Sequence, residues 1–158
     1  MTVTPEVRAL AEDLVLKSAY LIDNDELEAW LDCFDDDGSY IVMPRDNRDL
    51  GLPVALIHCA TKARLRDRIV CLRQASKVNP HVDRHIVSRS LVTGCDDGVA
   101  TVQSSFMVVQ TSLSGLSKLF CAGVYEDRIR IANGAARFAA RTAVVDTFSI
   151  PTMLGTPI

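Results

Sequence analysis

The chain has few of the residues that usually carry chemistry. Of its 158 residues, three are histidine, one is tryptophan and five are cysteine. Cys33, Cys59, Cys71, Cys95 and Cys121 are widely spaced and form no CxxC pair. Zinc and iron–sulfur centres use clustered thiolates, so this spacing argues against both. An odd number of scattered cysteines reads instead as free, mostly buried thiols in a reducing compartment. There is no GxGxxG, phosphate-binding loop, GxSxG or HExxH, which removes the common dinucleotide, nucleotide, hydrolase and zinc-protease patterns. No apolar run approaches the roughly 18 residues of a membrane span. The N-terminal stretch MTVTPEVRALAEDLVLKSAY is charged throughout and has no apolar signal-peptide core. Basic charge is not in excess either. The net charge is −3 and the pI about 5.5, unlike the strongly basic footprint of a nucleic-acid-binding domain. These absences predict a cytoplasmic protein without a nucleic-acid or membrane partner.

What is present describes an ordinary globular chain. Hydrophobic residues make up 48% and charged residues 23%, and the length suits one domain, residues 1–158, with a sizeable core. Val7, Leu10, Leu14 and Leu21 recur at helical spacing, predicting a helix from Pro5 to about Asp23. NDELEAWLDCF predicts a second, short helix capped by Asn24 or Asp25, with Leu27, Trp30, Leu31 and Phe34 on one face. Asp35–Gly38 reads as a turn; it lacks the spaced ligands and terminal glutamate of a calcium loop. SYIVMP reads as a strand, PRDNRDLGLP as a loop and VALIHCA as a short strand. TKARLRDRIVCLRQAS predicts a third helix, with Leu65, Ile69 and Leu72 inward. Its arginines, Arg64, Arg66, Arg68 and Arg73, form either a solvated face or a docking surface.

Beyond Pro80 the character changes. DRHIVSRSLVTG, VATVQSSFMVVQTS, LSKLFCAGVYEDRIRI and ARFAARTAVVDTF are rich in β-branched residues and separated by turn signals, of which Asp97-Gly98 and Asn133-Gly134 are the strongest. Helices followed by a four-stranded antiparallel meander predict an α+β domain with helices on one sheet face, a curved sheet that can close into a cone.

The stretch HVDRH, residues 81–85, raises the main chemical question. Two histidines four apart share a metal only on a helix. Pro80 and the β-rich residues that follow predict a strand, on which His81 and His85 lie about 13 Å apart at roughly 3.3 Å per residue. An acid/base role for His85 is the alternative. Asp23, Asp25 or Asp83 would orient it, and Tyr20 or Tyr40 would polarise a substrate, as dehydration or isomerisation requires. The plainer reading is a structural histidine at the edge of the core. Arg137 and Arg141, four apart on the last strand, form either an anion site or cross-strand pairs with Glu126 and Asp127.

Taken in order, YLIDNDELEAWLDCFDDDGSY, YIVMPRDNRDLGLP, the helix with LRDRI, DRHIVS, CAGVYEDRI and RTAVVDTF resemble the small, or β, subunit of Rieske-type aromatic-ring-hydroxylating oxygenases. The loop and the short termini look most like the branch acting on salicylate- and benzoate-type acids. The resemblance implies a cone-shaped, cystatin-like α+β fold related to scytalone dehydratase and ketosteroid isomerase. It also implies a structural subunit without a cofactor. The Rieske cluster and mononuclear iron would sit in a larger α subunit, which ferredoxin and reductase serve, in an α3β3 hexamer. The residues agree: His58-Cys59 is no Rieske ligand pair, and His81 and His85 cannot converge on one iron. The loop residues Arg45, Asp46, Asn47 and Arg48, with Arg64, Arg68 and Arg84, are the candidates for contacting α. A free-standing dehydratase or isomerase using His85, Asp25 and Tyr40 remains the alternative, and a small-molecule binding module a third reading. The apolar tail SIPTMLGTPI enters either a subunit interface or this chain's own core.

Overall fold

Thr4 begins the first helix by accepting the Val7 N–H at 3.2 Å, with Pro5 in the first turn where its missing N–H costs nothing. The computed structural model describes residues 3–158. Helix α1 (Pro5–Asp23) buries Val7, Ala11, Leu14, Val15, Ser18 and Ile22, one stripe at helical spacing. Helix α2 (Leu27–Leu31) follows; Asp25, expected as a cap, instead makes the turn into it at φ 59°. Strand β1 (Phe34–Pro44), helix α3 (Arg45–Asp49), strand β2 (Ile57–Cys59) and helix α4 (Lys62–Gln74) complete the first half. The second half is all strand: β3 (His81–Val87), β4 (Leu91–Asp96), β5 (Val99–Ser112), β6 (Ser117–Ala132) and β7 (Ala135–Val145).

The strands form one sheet in the order β2-β1-β7-β6-β5-β3, with β4 also paired to β5. The expected meander is present, and β1 adds to its far edge by a parallel pairing with β7. Along β5, Val102, Ser104, Phe106 and Val108 are buried, while Thr101, Gln103, Ser105 and Met107 are exposed. This period of two assigns one face to the helices and the other to the outside. Helix α1 touches β3, β5, β6 and β7, and α4 touches β1 and β2, so both lie on the covered face.

Four details depart from the sequence reading, each for a local reason. Strand β1 starts at Phe34, so Asp35–Gly38 lies within it as a register shift rather than a free turn. A Cβ at Gly38 would meet the Phe138 and Asp35 carbonyl oxygens at 2.7 and 2.8 Å, which makes glycine necessary there. Residues 45–49 coil into a short helix instead of a loop. DRHIVSRSLVTG is two strands broken at Ser88–Ser90, both paired to β5. A bulge in β7 opposite Arg128 and Ile129 moves Arg137 and Arg141 to opposite faces. Arg137 is exposed and Arg141 is buried.

Candidate functional site in the covered interior

The polar groups on the covered face form an ordered network. Arg141 projects inward from β7 opposite Asp127 on β6 and donates two hydrogen bonds to its carboxylate, at 2.9 and 2.8 Å. Its third bond goes to Ser18 Oγ on α1 at 2.9 Å, and that oxygen also accepts Trp30 Nε1–H at 2.8 Å. The guanidinium lies 4.1 Å from the ring centroids of both Tyr125 and Phe138. Each charge therefore has a partner, and two helices, α1 and α2, are joined to the sheet through one arginine. Burial opposes charge on Arg141, but the Asp127 carboxylate holds it firmly protonated. Burial pushes the Asp127 carboxyl upward against the pull of that same arginine.

Of the residues considered for acid/base chemistry, His85 and Asp23 meet, while Asp25, Asp83, Tyr20 and Tyr40 are placed elsewhere. His85 faces inward from β3, and its Nδ1 lies 2.6 Å from the Asp23 carboxylate. Asp23 also accepts the His85 backbone N–H through both oxygens, at 3.1 and 3.0 Å. The ring is completely buried, and Nε2 has no partner among the described residues. The pair clamps the end of α1 to β3. Asp25 points elsewhere and bonds Arg73 at 2.6 Å. Tyr20 is largely exposed. Asp83 bonds Gln110 at 3.3 Å and lies 3.2 Å from His81. The two histidines are thus held by different carboxylates. Among the described residues, no group of three or more His, Cys, Asp or Glu is placed to hold a metal ion.

Tyr40 is occupied by the chain itself. Its phenol donates to the Ile158 oxygen and accepts the Ile158 N–H, both at 2.9 Å. Pro157 and Ile158 are buried, and Ile158 belongs to the main hydrophobic cluster. Arg68, expected on the solvent side of α4, turns toward this tail and donates to the Leu154 and Gly155 carbonyl oxygens at 2.9 and 3.2 Å. Burial raises the Tyr40 and Tyr125 hydroxyls far above the usual phenol range and pushes the Cys121 thiol up to about 12. None of the three is ready to lose a proton at neutral pH. Of the other expected contact residues, Arg45 pairs with Asp146 at 3.2 Å and Arg48 with Asp49 and Glu126. Asn47 holds the Val54 carbonyl at 2.8 Å. Asp46, Arg64 and Arg84 are exposed.

Residues 17–152 match the family described as ring hydroxylating beta subunit. The chain belongs to that family. It is 36% identical over 157 residues to the anthranilate 1,2-dioxygenase small subunit of Burkholderia cepacia, covering 98% of each chain. It is 31% identical over 140 residues to subunit beta 2 of the terephthalate 1,2-dioxygenase terminal oxygenase component of a Comamonas species, covering 89% of this chain and 91% of that one. A crystal structure described as the beta subunit of an aromatic-ring-hydroxylating dioxygenase from Novosphingobium aromaticivorans superposes with a TM-score of 0.88, at 36% identity and 96% coverage of both chains. A protein from the same bacterium described as a scytalone dehydratase shares the fold alone, at TM-score 0.69 and 12% identity, covering 94% of this chain and 89% of that one. The β subunit is thus a component of an aromatic-ring-hydroxylating oxidoreductase complex and works beside an α subunit. Sequence reasoning missed Ser18, Tyr125 and the tail contacts of Tyr40. A serine within an apolar helical stripe is the one signal that pointed to the first.

Proposed function

We propose that this β subunit is non-catalytic and supports the assembly of Rieske-type α subunits that hydroxylate an aromatic carboxylic acid. The observation that carries this is the match along nearly the whole chain to small subunits of such oxygenases, two of which are named for the aromatic acids anthranilate and terephthalate. The interior supports it, because His85, Asp25 and Tyr40 are each committed to a structural partner. The Rieske cluster and mononuclear iron belong in α, and an α3β3 assembly served by ferredoxin and reductase fits the family.

The contact with α is assigned to the end of the molecule that carries α3. There the ion pairs already neutralise Arg45 and Arg48, which leaves the apolar side chains to provide affinity. Leu50, Leu52, Val54 and Leu56 are exposed, and Phe148 is 97% exposed beside Leu56 and Ile150. Arg64 and Arg84, both exposed, are further candidates elsewhere on the surface. Co-purification with tagged α subunit, followed by iron analysis and a visible spectrum, tests the reading. The expected result is a brown complex of equal chains that keeps its turnover per complex with His85→Ala, at reduced yield. Turnover of an aromatic substrate by the colourless β chain alone would overturn it.

A further inference from the structure

At the end of the sheet lies a polar cluster that the supporting role does not use. We propose that it binds a phosphate group, in the hollow between the β5–β6 hairpin, the loop 77–80 and the tail. Three observations carry this.

The side chains share one space. Asp83, Gln110 and Lys118 are direct cross-strand neighbours on β3, β5 and β6, and His81 and Ser112 form the next pair toward the end of the sheet. Opposite residues of an antiparallel pair project from the same face. Lys118, Gln110, His81 and Ser112 accordingly line one hollow of about 280 Å³, completed by Lys77 from the loop and Thr152 from the tail.

The charge in the hollow is positive, although the chain carries a net −3. Two of its four lysines, Lys77 and Lys118, line it. Among the described residues, no aspartate or glutamate does, and neither lysine forms an ion pair. Asp83, the carboxylate of that row, is engaged behind the wall. One oxygen lies 3.2 Å from His81 Nε2, and the other accepts the Gln110 Nε2–H at 3.3 Å. His81 Nδ1 lies 2.6 Å from the Asn79 carbonyl oxygen, which fixes the loop that carries Lys77. Two ammoniums without a carboxylate suit a dianion better than a singly charged ligand.

The frame is rigid and one side of it is apolar. Gln110 and Asp83 are only 8% and 9% exposed. Val78, Leu116 and Met153 face the hollow as well. A short aliphatic group esterified to the phosphate would lie against them, whereas the free ion fills the polar half alone. The hollow is separate from the α3 end assigned to α.

The test titrates the full-length chain with inorganic phosphate and with isopropyl phosphate by calorimetry at constant ionic strength, while nitrogen-15 NMR locates the amides that shift. Both lysines are exposed, and water limits what each contributes, so isopropyl phosphate is expected to bind one site with a Kd of about 1 mM. Shifts are expected in the loop 77–80 and the β5–β6 hairpin. Lys77→Gln with Lys118→Gln should weaken binding about tenfold or more. Arg8→Gln with Lys17→Gln removes the same charge from α1 and should leave it unchanged. Tighter binding of isopropyl phosphate identifies a phosphate monoester as the source of the group, and equal affinities identify free phosphate. Absence of saturable binding of either, or an equal loss in the two double variants, overturns the proposal.

Discussion

Arg141 and Asp127 show what a single buried residue can hold. The pair is almost fully buried, at 1% and 2% exposure, and links α1 and α2 to β6 and β7 through Ser18 and Trp30. Removing one partner strands the other charge, so Asp127→Asn should cost about 3–5 kcal/mol in urea unfolding. Replacing both by well-packed apolar residues, Asp127→Leu with Arg141→Met, should recover much of that loss. If the double variant is no more stable than the single one, the network's value lies in its geometry rather than in its charge balance. The cysteines give a second test at this scale. Burial disfavours a thiolate, which raises the Cys33, Cys59 and Cys121 thiols and keeps them protonated as pH rises through 8. Cys71 is exposed. Iodoacetamide at pH 8 should therefore label Cys71 in the native chain and reach the buried Cys33, Cys59, Cys95 and Cys121 only after denaturation, as read by mass spectrometry.

At the scale of elements, periodicity made most of the fold legible, and bulges hid the rest. The helical stripe of α1, the Thr61-capped α4 and the strands β5 to β7 are local patterns that a sequence displays directly. The parallel pairing of β1 with β7 is not local, because it joins residues about a hundred positions apart. One inserted residue in β7 turned Arg137 outward and Arg141 inward, and no local signal marks it. Nor could the tail's seat be read from sequence: the Tyr40–Ile158 bond spans 118 residues. The close approach of two strands at Gly123 is also invisible to pattern. Gly123 of β6 lies so near β7 that a Cβ there would stand 2.0 Å from the Val144 carbonyl oxygen. Gly123→Ala must push the two strands apart, at a cost of about 3 kcal/mol or more. Gly94→Ala meets nothing within 4 Å and should change stability by only about 0.5 kcal/mol. Equal effects of the two changes in chemical denaturation would show that β6 and β7 can relax without loss.

At the scale of the whole molecule, the surface is more informative than the interior. A soluble chain seldom leaves a large contiguous apolar patch open unless something covers it. Two regions of this chain stand out. One is the α3 end, with Leu50, Leu56 and Phe148; the other is the β5–β6 hairpin tip, with Leu113 and Leu116 at 79% and 70% exposure. The first is concave, with Phe148, Ile150 and Leu56 around a hollow rimmed by Arg45 and Asp146. An apolar centre with a polar rim is the usual layout of a protein interface. The hairpin tip projects on a turn of Ser114 and Gly115 flanked by the uncharged Ser112 and Ser117. The two can be separated by experiment, because exposed side chains contribute little to the chain's own stability. Phe148→Ser with Leu56→Ser should leave urea unfolding of the isolated chain within about 1 kcal/mol of wild type. The same double change should weaken capture by α about 30-fold or more, the loss expected when an aromatic anchor is removed from an interface centre. Leu113→Ser with Leu116→Ser should leave that capture unchanged. The reverse result would move the α contact to the hairpin and leave the α3 end for another copy of the β subunit.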